Sequence, residues 1–264
     1  MRTLVIGDIH HRTHLVDRIL RRYCGAYDQI VFLGDYLDDY EDSPSLMRAT
    51  CRWLVESMQS PNRIHLLGNH DLPYFCPENP QLICPGWSPE KQKVFNEECA
   101  DLDRDRLHLA AVVGPWLLSH AGFSVKHARG ETRAELIEAA RRAKVRAFAG
   151  IASALLCGSP ARGFPRQPCG PGIQWLDFNE EFQPVDGLHQ IVGHTSDRST
   201  ARSRNLRADG FLAETEVFHV MQVSASYPLP QPGPEWRSVN WCLDCLGEMV
   251  GLLDGEGLHL LPSR

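Results

Sequence analysis

Short apolar runs punctuate this chain, most of them closing on a glycine and a knot of polar residues. Thr3-Leu-Val-Ile6 runs into Gly7-Asp8-Ile9-His10, and Ile30-Val-Phe-Leu33 runs into Gly34-Asp35-Tyr-Leu-Asp38. Ile64-His-Leu-Leu67 runs into Gly68-Asn69-His70-Asp71, and His189-Gln-Ile-Val192 into Gly193-His194-Thr195. An apolar run bounded by a turn signal predicts a buried strand, and a buried strand cannot carry several carboxylates in its interior. The polar groups are therefore expected where strands end, along the sheet edge at which ligands of open α/β folds collect.

Between these runs the period changes. Residues from His14 to Tyr23 predict a helix with Leu15, Ile19 and Leu20 or Tyr23 inward and Arg18, Arg21 and Arg22 in water. With the strand at Gln29 to Leu33 it makes a βαβ unit, which favours parallel pairing and a right-handed crossover. Ser45 to Ser60 predicts a second helix, buried through Leu46, Ala49, Trp53 and Leu54 and stopped by Pro61. Residues 72–106 read as an irregular surface excursion beside the site, with Ser88 capping a helix to about Ala100. Leu107 to Val113 and Trp116 to Ser119 predict a hairpin about Gly114-Pro115 that delivers His120-Ala121-Gly122. Glu131 to about Cys157 reads as one long helix and Gly158 to Gly172 as loop, within a second excursion at about 123–185. Strand-like segments at Val217 to Val223, Val239 to Leu243, Met249 to Leu253 and Leu258 to Leu261 predict a second sheet stacked on the first. Nothing divides residues 1–264 into separate domains.

Composition narrows the partners. The 264 residues are 43% hydrophobic and 23% charged, with a formal charge of −6, which argues against dedicated nucleic-acid or anionic-membrane binding. The chain enters a strand at Thr3 without a targeting signal, and no stretch approaches a membrane span. Nine scattered cysteines suit a reducing compartment, so a cytoplasmic protein is expected. Cys242-x-x-Cys245 lies in an alternating strand pattern and is read as structural.

The strand ends together supply Asp8, His10, Asp35, Asn69, His120 and His194. Carboxylate, amide oxygen and imidazole suit manganese, iron or zinc. One ion would take Asp8, His10 and Asp35, and a second Asp35, Asn69, His120 and His194. A shared carboxylate brings two cations to about 3.5–4 Å, the spacing used for in-line displacement at phosphorus, with a bridging water activated as nucleophile. His70 is expected to give a proton to the leaving oxygen, its ring held by Asp38.

In their order and spacing, Gly7-Asp8-Ile9-His10, Gly34-Asp35-Tyr-Leu-Asp38, Gly68-Asn69-His70-Asp71, His120-Ala121-Gly122 and Gly193-His194-Thr195 resemble the motif series of calcineurin-like metallophosphoesterases. The bacterial serine/threonine phosphoprotein-phosphatase-like branch is the nearest match, and Asn240 to Leu253 is similar to its closing strands. The resemblance implies a four-layer α/β/β/α sandwich of two mixed sheets, a dinuclear centre and hydrolysis of a phosphoprotein or small phosphorylated metabolite.

Two departures bear on the substrate. That branch usually follows Gly-Asp-x-x-Asp with an arginine that grips phosphate, where this chain has Asp39-Tyr40, and its first motif usually continues with glycine where this chain has His11-Arg12. Arg12, or a member of the cluster Arg198, Arg202, Arg204 and Arg207 (read as one loop), is expected to replace the missing clamp. A dinucleoside polyphosphate hydrolase or a phosphodiesterase is the alternative within the same chemistry. A binding module with a decayed site is the alternative outside it.

Overall fold

The computed structural model describes residues 1–39, 42–151, 153–156, 171–197, 200–217 and 229–264. The first half alternates strand and helix: β1 (Thr3–Ile6), α1 (Thr13–Arg22), β2 (Gln29–Phe32), α2 (Pro44–Met58) and β3 (Arg63–Leu66). A short α3 (Leu72–Phe75) and α4 (Pro89–Glu98) follow, then β4 (Leu107–His108), β5 (Ala110–Val113), β6 (Trp116–Ser119) and α5 (Arg133–Phe148). The second half is strands: β7 (His189–Val192), β8 (Ala201–Arg207), β9 (Leu212–Val217), β10 (Trp236–Ser238), β11 (Asn240–Cys242), β12 (Met249–Leu253) and β13 (Leu258–Pro262).

Two mixed sheets result, ordered β13-β12-β1-β2-β3-β4 and β10-β8-β11-β7-β6-β5, with β9 paired to β8. Strand alternation assigns the layers. Val5, Val31, Leu33 and Leu66 point into the space between the sheets and meet Leu118, Ile191 and Trp241. Leu4, Ile6, Ile30 and Phe32 point the other way, onto Leu15, Val16 and Ile19 of α1 and Met47, Cys51 and Leu54 of α2. The far side of the second sheet is covered by Leu176, Phe178 and Phe182, which pack on Ala121, Val192 and Cys242, while α5 lies along β4 and β5. The order of layers is α/β/β/α.

Several sequence expectations change. The run 107–113 is not one strand: β4 pairs with β3 and β5 with β6, so the chain crosses between sheets at Leu109. β12 and β13 extend the first sheet beside β1 instead of stacking on it, whereas β11, and β9 with Val217 at its end, lie in the second sheet. A hydrophobic pattern reports burial, and both sheets bury strands equally, so it could not choose between them. The long helix is only α5: it starts with Thr132 in a capping box and is followed by Gly150 at φ 71°. A short 3-10 turn spans Ala154–Leu156, and Cys157, most of the 158–172 loop and residues 218–223 lie outside the described residues. The buried face of α2 carries Met47, Thr50, Cys51, Leu54 and Met58, whereas Leu46 is 39% exposed. Thr50 is buried because its hydroxyl is satisfied inside the protein, 2.8 Å from Nδ1 of the buried His11. Residues 72–106 contribute Leu72, Tyr74, Phe75, Leu82, Val94 and Phe95 to the larger core.

His65, on β3, couples the core to pH. Its ring stacks on Phe32 at 4.7 Å and lies 3.2 Å from both the Ser57 and Tyr36 hydroxyls. Burial, helped by Arg63, pushes its pKa down from 6.5 to about 3. Above pH 6.5 neither state is charged. As pH falls from 6.5 towards 3, the unfolded chain takes a proton that the native state refuses, which costs up to ~1.4 kcal/mol per pH unit. His65→Leu should lower stability at neutral pH by roughly 1–3 kcal/mol, since two buried hydroxyls lose a partner. It should also flatten the acid limb of a urea-unfolding series. An acid limb as steep as in the parent protein would show that His65 is not its source.

Candidate active site

β1, β2, β3, β6 and β7 end on the same side, and each hands a donor to one place. The motif glycines are needed for that convergence. A Cβ on Gly68 would lie 2.0 Å from Oδ1 of Asp35, and one on Gly193 would lie 2.2 Å from Oδ1 of Asp8. His10, Asp35, Asp38 and His194 hold φ values of 42°, 49°, 62° and 68°. Left-handed backbone at non-glycine residues is costly and clusters at functional sites.

All six proposed donors are brought together. Ligand atoms of Asp8, His10 and Asp35 lie within 4.8 Å of one another, and so do those of Asp35, His120 and His194. Asn69 Oδ1 lies 2.8 Å from His120 Nε2 and 2.9 Å from His194 Nδ1. Asp35 Oδ2 lies 3.4 Å from His120 Nε2 and 3.7 Å from His10 Nε2. Nδ1 of His10 faces the carbonyl of Asp38 at 2.5 Å, and Nδ1 of His120 faces that of Leu33 at 3.0 Å. A carbonyl only accepts, so both Nδ1 atoms carry a proton and each ring turns its Nε2 towards the cluster.

The cluster is short of positive charge. Asp8, Asp35, Asp71 and Asp244 are all buried. Burial and the nearby Asp244 push Asp8 well above the usual carboxylate range, and burial with Asp35 pushes Asp71 up to about 7. For Asp35 burial also works upward, but His120, His70 and His10 outweigh it and hold the acid ionised. His120 answers in kind: burial lowers it, yet Asp35 and Asp8 raise it to about 9. Converging buried carboxylates are costly unless cations neutralise them. Oxygen and imidazole donors in two groups that share Asp35 fit two cations.

His70 stands on the wall of a cavity of about 380 Å³ that is also lined by His10, Arg12, Asp35, Asp38 and His194. Its Nδ1 lies 3.6 Å from Asp38 Oδ2, and its backbone N–H donates to Asp35 Oδ1 at 2.9 Å. Burial would lower its pKa, but the Asp35 and Asp38 carboxylates hold the ring well above its ordinary value. Arg12 reaches the cavity with Nε bound to the carbonyl of Ile9 at 2.9 Å and Nη2 to that of Asp8 at 2.7 Å.

The arginine cluster differs from its sequence reading. Arg202, Arg204 and Arg207 sit on strand β8 instead of a loop, and Arg198 lies outside the described residues. Arg204 donates to the carbonyls of Phe178, Asn179 and Phe182, and Arg207 pairs with Asp209. Alternating arginines on a strand look like a loop when the inward positions between them are Ala201, Ser203 and Asn205, which give almost no apolar alternation.

Sequence reasoning missed four side chains. Asp71 accepts from the backbone N–H of Gly68, Asp35 and Tyr36 at 2.8–2.9 Å and of Leu37 at 3.3 Å, which ties two motif loops together. It was legible as the last residue of Gly68-Asn69-His70-Asp71. Lys91 of α4 lies 2.7 Å from Asp38 and 2.8 Å from Asp42, and Tyr74 donates to Asp38 at 2.6 Å. Asp244 follows β11 and lines the cavity. Neither Lys91 nor Asp244 carries a local signal, because each reaches the site only through the fold.

No curated protein sequence matches the chain. Among solved structures, a serine/threonine phosphatase from Saccharomyces cerevisiae with similarity to human phosphatase PP5 shares 15% identity, covering 99% of this chain and 79% of its own, at a TM-score of 0.50. Identity that low speaks for the fold alone. A putative diadenosine tetraphosphatase shares 13% identity over 99% of this chain and 93% of its own, at a TM-score of 0.42, too weak a likeness to weigh. The profile of calcineurin-like phosphoesterases matches residues 1–144, more than half of the 264-residue chain, and takes in the strand ends at Asp8, Asp35, Asn69 and His120. The chain therefore belongs to the calcineurin-like phosphoesterase family, and it is a metal-dependent phosphoester hydrolase.

Proposed function

We propose that the protein is a phosphomonoesterase for a phosphoprotein or small phosphorylated metabolite, with Asp8, His10, Asp35, Asn69, His120 and His194 holding two cations. The observation that carries this is the membership of Asp35 in both donor groups. Manganese, iron and zinc all suit the donors. The seven described cysteines are free and mostly buried, which supports a reducing cytoplasm; no described helix is long and apolar enough to cross a membrane. Bound cations would neutralise phosphate oxygens and acidify a water.

The chain's own residues divide the remaining work. Arg12 is the described arginine beside the strand ends and orients the phosphate in place of the arginine missing after Asp38; Arg264 stands elsewhere on the same cavity. His70 gives the proton on Nε2 to the leaving oxygen, while Asp38 holds the Nδ1 side of the ring. Asp38 is itself held by Lys91 and Tyr74.

The test is a metal analysis of purified protein with a panel of monoesters, diesters and diadenosine polyphosphates in added manganese. Preference for monoesters supports the proposal. Preference for the polyphosphates or diesters selects the alternative hydrolase reading, and no turnover with metals bound leaves a decayed binding module. His70→Gln should cut kcat for alkyl phosphates by about 100-fold or more, the scale of general-acid catalysis, and by only a few-fold for p-nitrophenyl phosphate, whose leaving group needs no proton. Equal losses on both substrates would remove His70 from that role.

A further inference from the structure

Behind His70 lies a group of donors that the two-cation reading does not use. Cys84 Sγ lies 3.5 Å from His70 Nδ1, and Asp38 Oδ2 lies 3.6 Å from the same nitrogen. Ligand atoms of all three residues fall within 4.8 Å of one another. A tetrahedral zinc ion with bonds of ~2.0–2.3 Å sets neighbouring N, O and S donors roughly 3.3–3.7 Å apart. The two distances to Nδ1 match that geometry. Asp38 is 1% exposed, and its Oδ2 makes no hydrogen bond although Oδ1 makes two. A buried carboxylate oxygen that faces the His70 ring at 3.6 Å and makes no hydrogen bond can take a ligand.

Charge and access agree with the distances. Lys91 is shared between Asp38 and Asp42, so these three groups together keep one negative charge. Asp38, His70, Pro85 and Gly86 line the cavity, which leaves a path and a fourth coordination position. Gly86 has φ 100°, and a Cβ there would sit 3.0 Å from the Asp38 side chain. The Cys84-Pro85-Gly86 turn therefore lies directly against the carboxylate. The mixed thiolate, imidazole and carboxylate set favours a soft divalent ion such as Zn²⁺ over manganese.

We propose that Asp38, His70 and Cys84 form a third, inhibitory metal site selective for Zn²⁺-like ions. On binding, the Cys84 thiol and the Nδ1–H of His70 each release a proton to water, and the thiolate sulfur and the freed Nδ1 lone pair bond to the metal. With Nδ1 tied to the metal instead of held by Asp38, the ring loses the arrangement from which its Nε2–H serves the leaving oxygen. Zinc would then slow the esters that need a protonated leaving group. This consequence rests on the proposed role of His70, whereas the site itself rests on the donor geometry.

The test uses manganese-loaded full-length protein titrated with Co²⁺ and, separately, Zn²⁺. Co²⁺ should produce a thiolate-to-cobalt absorption band that Cys84→Ser and Cys84→Ala both lose, although the other cysteines remain. Zn²⁺ should lower kcat for alkyl phosphates at least ~10-fold, and p-nitrophenyl phosphate turnover much less, in the parent protein but not in either variant. A band of equal strength in parent and variants, or none in any, overturns the site. A Cys84-dependent band without inhibition overturns the link to His70 and leaves the site standing. Folding of at least one variant is checked by its parent-like turnover in manganese alone. If the parent protein hydrolyses no ester in manganese, the proposed function fails while the cobalt band still decides the site.

Discussion

Asp35→Asn should abolish the enzyme more completely than any other single change at the site. Turnover of phosphate monoesters is expected to fall by roughly 1,000-fold or more, the upper range for removing one electrostatic contributor to a transition state. The side chain is nearly isosteric, and its Oδ1 can still accept from the His70 N–H that now lies 2.9 Å away. What disappears is the charge common to both donor groups. Bound metal measured by elemental analysis should therefore drop at both positions. A chelator should lower the melting temperature of the parent protein, because ions that bind only the native state stabilise it by mass action. It should leave the variant nearly unmoved. Full metal content with parent-like turnover in Asp35→Asn would end the two-cation reading.

Asp71→Ala should be the most destabilising change near the site, although Asp71 does not line the cavity. Its carboxylate accepts four backbone N–H groups from the two loops that follow β2 and β3. Truncation would leave them buried without partners, at ~1–3 kcal/mol for each that water cannot reach. Full cost at every group would exceed what single substitutions usually do, so a net loss of about 4–5 kcal/mol is expected after partial relaxation. Activity should fall with it, since the same loops carry Asp35 and Asn69. Asp71→Asn should recover little, because the amide can turn only one acceptor oxygen to those donors. Urea unfolding of both variants decides the matter: a loss below ~1 kcal/mol for Asp71→Ala would mean that the loops hold their shape without it.

Much of the site was readable before any coordinates. Asp8, Asp35, Asn69 and His194 each follow an apolar run directly after a glycine, His10 stands two residues past Asp8, and the fold brings all of them, with His120, to one place. The glycines are part of the signal for a steric reason, as the 2.0 Å and 2.2 Å approaches at Gly68 and Gly193 demonstrate. Helices α1 and α4 were also legible, the latter through its cap at Ser88. The residues that escaped notice share a property: Lys91 and Asp244 act on partners far away in the chain and sit in ordinary local contexts.

Local chemistry by itself determined which residues could be donors, because turns, strand ends and buried runs depend on neighbours a few positions away. Only the tertiary structure decided which sheet each late strand joins, why 107–113 divides at Leu109, and that β8 carries arginines spent on the 178–182 backbone and on Asp209. It alone seated Asp38 against Lys91 and Tyr74 and set Cys84 beside His70. Strand order and side-chain encounters across dozens of residues depend on how whole layers bury one another, and hydrophobic periodicity is the same for every layer that is buried.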